Sequence, residues 1–271
     1  MSQNATVRFE FLDALRGIAA IYVLFFHLAR YNCGPQLVAN GLLAVLVAPV
    51  CAICGEVLDH PLDGAVCPAC WARVARYSPP VCRVCGEPLP STRAGDTCGT
   101  CDVHLGPIAA ARSLGPYGGV LADLVTACKY GRRPTIADGL GQALRPVMRA
   151  WQEPIDCVVP VPLHPARHRE RGFNQAERIA AALGPPVVHA LARARATPPQ
   201  AAATAAARHA NVRGAFAPTR HLGRVEGQVV AIVDDVLTTG ATLAAAAEVL
   251  AGARPARLLA LTAARAALVR R

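Results

Sequence analysis

The stretch that decides the fold is VVAIVDDVLTTGAT, residues 229–242. It begins with five apolar residues in a row, which is typical of a parallel strand buried on both faces. Asp234 and Asp235 come next, and a turn of small residues follows them. These are Thr238, Thr239, Gly240, Ala241 and Thr242. Such a turn lets backbone N–H groups converge on an anion where a helix begins. The stretch therefore predicts a strand, a phosphate-binding loop and a helix.

The two carboxylates narrow the ligand further. Asp234 and Asp235 stand just before the loop, where they are placed to accept hydrogen bonds from a ribose diol or to help hold Mg²⁺. The whole stretch resembles the motif by which type I phosphoribosyltransferases bind 5-phosphoribosyl 1-diphosphate (PRPP). An ordinary strand and helix with a capping threonine is the alternative interpretation. The resemblance indicates a class of ligand more firmly than a reaction.

Length and composition restrict the class of protein. The 271 residues suffice for one sizeable α/β core and a smaller module. Charged residues make up 17% and hydrophobic residues 53%, which indicates a globular chain rather than a disordered one. The formal charge is +10, and 27 of the 28 basic residues are arginines because Lys129 is the only lysine. This composition favours phosphate-rich partners.

Eight of the 11 cysteines form an internal repeat of two C-x2-C-x12-C-x2-C units, offset by 31 positions. The members are Cys51, Cys54, Cys67 and Cys70, then Cys82, Cys85, Cys98 and Cys101. Four thiolates at this spacing predict a closed, structural Zn²⁺ centre, since a catalytic zinc keeps one position open. The glycine after the second cysteine of each unit permits a tight turn around the metal. Sequential pairing gives two sites, and a crossed pairing is the alternative.

Zinc fits these cysteines better than disulfides do. No clear signal peptide precedes them, and thiolate zinc sites suit a reducing compartment. We therefore expect a cytoplasmic protein. Cys33, Cys128 and Cys157 lie outside the repeat, and as small buried hydrophobic residues they need no function.

Residues 1–38 have a different character. Their apolar run over 17–29 is shorter than the roughly 20 residues that a membrane-spanning helix needs. Residues 8–20 resemble the start of the first helix in membrane proteins of the acyltransferase-3 family, in which Arg16 and His27 align with positions linked to acyl transfer. Nothing after residue 31 continues the match. We interpret the segment as a remnant of a gene fusion or start site, with a membrane anchor as the alternative. We expect no functional membrane insertion.

Strand and helix patterns alternate from residue 109 onward, which predicts a mostly parallel sheet with ligands at the carboxyl ends of its strands. Helices are predicted over 120–128, 136–148, 172–183 and 241–251, and strands over 156–161, 229–233 and 257–262. The predicted division is an N-terminal fragment (1–38), a double zinc-finger module (39–108) and a phosphoribosyltransferase-like domain (109–271).

Basic residues follow the strand at 156–161. Pro162 and Leu163 lie in a rigid proline-rich turn, and the arginines that come after it are Arg167, Arg169 and Arg171. This pattern suits a multiply charged pyrophosphate, and a solvated basic loop is the alternative. The segment 193–216 is interpreted as a lid that closes over the ligand and excludes water, or else as a plain exposed helix.

The order of these motifs resembles the ComF family of phosphoribosyltransferase-like proteins associated with competence for DNA uptake. The resemblance covers roughly residues 41–267. Its motifs are the paired C-x-x-C units, Lys129-Tyr130-Gly131, the P-V-P-L turn at 160–163, R-G-F-N-Q at 171–175, the spaced polar residues of the lid and the acid pair with T-T-G-A-T. Two departures fall in the lid, at Ala203 and Ala207, where the family usually has Leu and Glu.

The resemblance implies a type I phosphoribosyltransferase fold. If the domain is catalytic, it implies displacement of pyrophosphate at ribose C1 through an oxocarbenium-like state, assisted by Mg²⁺. Asp234 and Asp235 would hold the ribose hydroxyls, and the loop at 238–242 the 5-phosphate. Arg171 and the turn with Pro162 and Leu163 would face the pyrophosphate. Lys129 would reach the same group, or else would cap a helix dipole.

A second interpretation is a non-catalytic factor that processes single-stranded DNA and binds PRPP only as a regulator. Its zinc module would contact the DNA, with Trp71 and Tyr77 as the nearest aromatic platforms. A third, a membrane acyltransferase, rests on the first 31 residues alone. No pattern in the sequence identifies an acceptor for ribosyl transfer.

Overall fold

The computed structural model describes residues 36, 39–40, 47–91, 95–98, 101, 105–151, 153–194 and 214–266. The chain divides into two compact units, residues 1–72 and 73–271, and each contains one cysteine cluster. The division into residues 1–38, 39–108 and 109–271 stays a prediction.

The first unit contains the first half of the cysteine repeat. A 3-10 turn spans Pro61–Asp63, and helix α1 spans Pro68–Ala72. An antiparallel bridge between Val50 and Val57 closes the turn that holds the first C-x-x-C pair. Gly55 in this turn has a φ of +78°, a conformation that favours glycine. A glycine after the second cysteine thus permits the tight turn, as the sequence predicted.

The second unit contains a parallel sheet with the strand order β1-β6-β5-β2 and a separate antiparallel pair, β3 with β4. The strands are β1 (Ala110–Pro116), β2 (Cys157–Pro160), β3 (Leu191–Arg193), β4 (Phe216–Pro218), β5 (Val229–Leu237) and β6 (Arg257–Arg265). The helices are α2 (Gly119–Tyr130), α3 (Pro134–Arg149), α4 (Pro165–Arg171), α5 (Gln175–Ala181) and α6 (Ala241–Ala251). The predicted α/β class with a mostly parallel sheet is confirmed.

Strand β5 lies between β6 and β2 and is covered on both faces. Ile232 packs in one core with Leu243 and Leu250 of α6. Ala231 and Val233 point to the other face and are equally buried. Helix α5 packs on β5 and β2, and α3 packs on α5. Each large apolar side chain buried here contributes about 1.5–3 kcal/mol, so β5 is a rigid support for the residues at its end.

Several elements differ from the predictions. Strand β5 continues to Leu237, so the acid pair lies inside the strand, because β6 pairs alongside it as far as Arg265. Helix α4 occupies the region after β2 for which a proline-rich turn, or else a basic loop, was predicted. His164 caps this helix because its side chain accepts a hydrogen bond from the N–H of Ala166. The helix predicted to start at Gly172 therefore begins at Gln175, after α4 ends. Strand β1 was not predicted.

Some predictions fall outside the described residues. These are the acyltransferase-like positions within 1–35, Cys33, and the lid positions within 195–213 that include Ala203 and Ala207. Within the ranges that the structure describes, no helix is long and apolar enough to cross a membrane. Cys128 and Cys157 are buried, as expected.

Candidate functional site

Lys129, Asp234 and Asp235 meet at the carboxyl edge of the sheet. Helix α2 begins shortly after β1, and its last turn brings Lys129 to β5. Lys129 Nζ lies 3.0 Å from Asp235 Oδ1, and the side chains are 22% and 18% exposed. The backbone N–H of Asp235 donates to Asp234 Oδ1 at 2.8 Å. Two carboxyl groups and one ammonium thus form a compact, partly buried cluster.

The charges in this cluster depend on one another. Burial and the neighbouring Asp235 raise the pKa of Asp234 to about 7, against the opposing effects of the Asp235 N–H, Lys129 and Arg193. Burial lowers the pKa of Lys129, but the two carboxylates outweigh burial, and its pKa is raised. Lys129 therefore remains an ammonium at neutral pH. With a pKa of about 7, Asp234 is close to half protonated at neutral pH.

The predicted phosphate loop leads from β5 into α6. Gly240 has a φ of +82°, and it caps α6, which begins at Ala241. Thr239 is buried, whereas Thr238 and Thr242 are half-buried. The first N–H groups of a helix have no acceptor within the helix, so this loop is suited to an anionic group.

Arg171 lies close to Lys129 at the same edge. It is the last residue of α4, and its Nη1 donates to Gln175 Oε1 at 3.1 Å. Its guanidinium lies 5.7 Å from the centroid of the Tyr130 ring, next along the chain from Lys129. The charge of Arg171 also opposes the raised pKa of Lys129. Two cations from different helices, Lys129 and Arg171, therefore lie near each other at this edge.

The turn after β2 is held at its first residue, Val161, by strand β5 and by the side chain of Asn174. The N–H of Val161 donates to the carbonyl of Val233 at 2.9 Å. The carbonyl of Val161 accepts from Asn174 Nδ2 at 3.0 Å. Pro162 and Leu163 follow, half-buried, between β2 and α4. The structure thus places these two predicted residues at the carboxyl edge that also carries the acid pair.

Arg193 is a cation near the acid pair that the predicted set of site residues did not include. It lies on β3, with its guanidinium 5.3 Å from the centroid of the Phe216 ring on β4. Burial lowers the pKa of Arg193 and the charge of Asp234 raises it. In the sequence, the position of Arg193 in the order of motifs that resembles the ComF family could have indicated a site residue. Its approach to Asp234 depends on tertiary contacts, which sequence spacing does not reveal.

The eight cysteines of the repeat form two separate clusters. The sulfur atoms of Cys51, Cys54, Cys67 and Cys70 lie within 4.8 Å of one another, and so do those of Cys82, Cys85, Cys98 and Cys101. Of the two pairings, the clusters follow the sequential one. The Sγ atoms of Cys54 and Cys67 are 3.8 Å apart, and those of Cys85 and Cys98 are 3.6 Å apart. A tetrahedral zinc with Zn–S bonds of about 2.3 Å requires about 3.8 Å between sulfurs, so both clusters fit the metal.

The first cysteine of each cluster is prepared for the thiolate form. Burial by itself raises the pKa of Cys51, but backbone N–H donors in the surrounding turn lower it to about 6. The same donors in the second turn lower the pKa of Cys82 to about 6, although that side chain is buried too. Burial and neighbouring thiols raise the pKa of Cys70 to about 12. Zinc supplies the charge that lets such a thiol ionise.

The second cluster is built onto the sheet of its own unit. Arg112 of β1 donates to the carbonyl of Cys82 at 3.3 Å. Arg265 of β6 donates to the carbonyl of Cys85 and pairs with Glu87 at 2.7 Å. A Cβ on Gly86 would lie only 2.7 Å from the carbonyl oxygen of Ala111, so the close approach needs glycine. This zinc ribbon and the sheet form one packed body.

Comparisons with known proteins match both the cysteine repeat and the region that forms the parallel sheet. Residues 42–102 match the double zinc ribbon domain, and residues 169–269 match the phosphoribosyl transferase domain. The fold and the matched domains define a phosphoribosyltransferase-domain protein with a zinc ribbon module. These two matches support the resemblance to the ComF family, and so do the relatives described next.

Two of the similar proteins are named for DNA utilization, and a third is named for competence. The chain is 36% identical over 149 residues to the DNA utilization protein YhgH of Escherichia coli K12, which is 51% of this chain and 64% of the relative. It is 36% identical over 152 residues to the protein of that name in Salmonella typhi, with the same coverage. It is 33% identical over 115 residues to Competence protein F of Haemophilus influenzae Rd, covering 40% of this chain and 50% of the relative. The match thus spans less than two thirds of these relatives' lengths.

Proposed function

We propose that the second unit binds PRPP with Mg²⁺ and acts as a phosphoribosyltransferase linked to DNA uptake. The observation that carries the proposal is the cluster of Lys129, Asp235 and Asp234 directly before a loop whose Gly240 caps α6. A sugar that carries a phosphate at one end and a pyrophosphate at the other needs anion sites on both sides of a hydroxyl-binding pair. The loop at 238–242 would supply the first anion site. Arg171 with the turn at Pro162 and Leu163 would supply the second.

In the proposed reaction, the bond between ribose C1 and the pyrophosphate oxygen breaks and an acceptor nucleophile bonds to C1. Pyrophosphate leaves with the bonding electrons, and the acceptor loses a proton. Lys129 and Arg171 would stabilise the negative charge on the leaving group. Asp234 and Asp235 would orient the ribose hydroxyls by accepting hydrogen bonds. The protein's contribution is then position and charge rather than a strong base.

Mg²⁺ fits the donor set of this cluster because carboxylate and phosphate oxygens are its preferred ligands. Asp234 and Asp235 would hold it together with the pyrophosphate oxygens, and the ion would neutralise charge on the leaving group. Cytoplasmic residence is proposed with it, since the eight thiols that fit zinc suit a reducing compartment.

The first test replaces both carboxylates. In Asp234→Asn/Asp235→Asn the side chains keep their size but lose the charge that orients the diol and attracts Mg²⁺. Charge-assisted hydrogen bonds are worth about 1.5–3 kcal/mol each, so PRPP affinity should fall at least about tenfold. Calorimetric titration of PRPP with Mg²⁺ measures the change. Asp123→Asn, an exposed carboxylate on α2, is the matched control. Equal affinity of the wild type and the double variant would contradict the proposal.

The alternative function, a single-stranded DNA factor for which PRPP is only a regulator, has its own support. The relatives are named for DNA utilization and competence. Tyr130 is 70% exposed beside Arg171, and Arg132 Nη2 donates to the Glu170 carbonyl, so an exposed aromatic ring adjoins basic residues. Tyr77, a platform expected in the zinc module, is half-buried, and its backbone N–H donates to the carbonyl of Leu114 in β1.

Turnover distinguishes the two functions. The protein is incubated with PRPP, Mg²⁺ and a panel of nucleobases, and released pyrophosphate is measured. Release that depends on one base supports the transferase. Binding of an oligonucleotide without any release supports the alternative, and its affinity should then fall with salt at about −0.7 per phosphate contact.

A further inference from the structure

Gln175 is a buried polar side chain with an unused donor. Its side chain is 2% exposed, and its Oε1 accepts from Arg171 Nη1 at 3.1 Å. Its Nε2 is also buried, and among the residues that the structure describes it has no hydrogen-bond partner. A buried donor without an acceptor destabilises a fold. Because this residue lowers the stability of the fold, it indicates a role other than stabilising the fold.

The backbone around Gln175 is fixed to the sheet. Asn174 caps α5 by accepting from the N–H of Ala176 at 3.1 Å. The same side chain donates to the carbonyl of Val161 at the end of β2. Gln175 is the first residue of α5, so its Oε1 is an acceptor at a fixed place beside the carboxyl edge of the sheet.

Arg171 needs such a fixed acceptor because it ends a helix with no buried residues. A guanidinium on a long, partly exposed side chain has many rotamers, and holding it in one costs entropy. The Tyr130 ring contacts it, and Gln175 uses one of its five N–H donors. In the part of the chain that the structure describes, Gln175 is the hydrogen-bond acceptor of this guanidinium, and its other donors can bind an anion.

We propose that Gln175 is a positioning residue that holds the guanidinium of Arg171 for the pyrophosphate group of PRPP. This inference rests on the proposed function of the same site. It assigns to Gln175 no contact with the ligand, because both of its polar atoms lie inside the protein. Its effect on binding passes through Arg171.

The test is the substitution Gln175→Met. It keeps the side-chain volume and removes both the acceptor for Arg171 and the unpaired amide N–H group. Wild type and variant are titrated with PRPP, inorganic pyrophosphate and ribose 5-phosphate, each with Mg²⁺. Affinity for PRPP and for pyrophosphate should fall about tenfold. Ribose 5-phosphate lacks the group that Arg171 would bind, so its affinity should stay at the wild-type value. The midpoint of thermal unfolding should be at least that of the wild type.

A double-mutant cycle separates positioning from a general effect. Arg171→Met alone should weaken PRPP and pyrophosphate binding. Adding Gln175→Met to Arg171→Met should change neither affinity further, because no guanidinium remains to be oriented. Gln142→Met, on the exposed face of α3, is the matched control and should bind all three ligands as the wild type does.

Three results would overturn the inference. They are an unchanged pyrophosphate affinity in Gln175→Met, an equal loss for all three ligands, and a clearly lower unfolding midpoint or failure to fold, which would mean that Gln175 serves the fold. If the wild type binds neither PRPP nor pyrophosphate, the proposed function fails and this inference with it. If the wild type binds both and the variant does not behave as stated, only the inference about Gln175 fails.

Discussion

Asp234 lies where the buried part of β5 reaches the open edge of the sheet, and burial together with Asp235 raises its pKa to about 7. In an unfolded chain the pKa of an aspartic acid is about 3.9. Between these two values the folded protein holds a proton that the unfolded chain has released. Stability therefore falls as the pH rises from about 4 to about 7, and above pH 7 the charged carboxylate is kept at a cost to the fold.

The residue-scale prediction concerns Asp234→Asn. The variant cannot ionise at this position, so at pH 8 and without PRPP or Mg²⁺ it should be more stable than the wild type, by on the order of a few kcal/mol. The difference should shrink towards zero at pH 4. Urea unfolding at both pH values measures it. Asp96→Asn, at an exposed ion pair with Arg83, should shift stability by under about 0.5 kcal/mol. An Asp234→Asn variant no more stable than the wild type at pH 8 would show that the site places no cost on the fold.

At the scale of elements, the strands and helices with a strong apolar period were predicted well. Helix α6 spans 241–251 as its alanine-rich sequence indicated. Strand β1 was missed because Ala110–Pro116 contains little of the β-branched apolar run that marks a buried strand, and its place depends on pairing with β6. The end of β5 was placed too early for the same reason, since backbone pairing with β6 continues through the charged residues.

The residues of the candidate site also differ in how far the sequence predicts them. The acid pair and the loop at 238–242 could be read from one continuous stretch. The role of Lys129 at pyrophosphate stays a prediction, and its ion pair with Asp235 was not predicted from the sequence. Arg193 and Gln175 depend on how β3 and α5 pack against neighbouring elements. The spacing of residues along the sequence does not predict those contacts.

The element-scale prediction concerns the joint between the second zinc ribbon and β6. Arg265 is 6% exposed and holds both the Cys85 carbonyl and Glu87. Arg265→Met should lower the free energy of unfolding by about 1.5–3 kcal/mol and should speed the loss of one zinc to a chelator. Urea unfolding and a chromogenic chelator measure the two effects. Arg254→Met, at an exposed pair with Glu226, should change neither. An Arg265→Met variant as stable as the wild type would mean that ribbon and sheet are not energetically coupled.

At the scale of the whole molecule, two clusters of the same spacing lie in two different units. The first lies within residues 1–72, and the second lies within residues 73–271 with the sheet. Their cysteines are equivalent in sequence, but the second has Arg112 and Arg265 holding its backbone carbonyls. The two metal centres should therefore contribute differently to the unit that contains the candidate site.

The corresponding prediction uses equivalent cysteines, Cys51→Ser and Cys82→Ser. Each variant should retain about one zinc where the wild type binds two, since each removes one ligand of a four-thiolate site. Cys82→Ser should lower the unfolding midpoint of the sheet unit by about 5 °C or more, and Cys51→Ser should have a smaller effect. Metal analysis and differential scanning calorimetry measure both quantities. Equal effects of the two substitutions would contradict the assignment of the second centre to the sheet unit.

The pairing of Lys129 with Asp235 has a practical consequence. Lys129 is the only lysine in the sequence, so the chain has one ε-amino group, and that group lies in the candidate site. Its raised pKa keeps the reactive neutral amine scarce, which slows acylation. An amine-directed reagent therefore has one side chain to modify, in addition to the terminal α-amino group. The rate at which Lys129 itself is labelled, followed by peptide mapping, reports whether the acid pair still holds its ammonium.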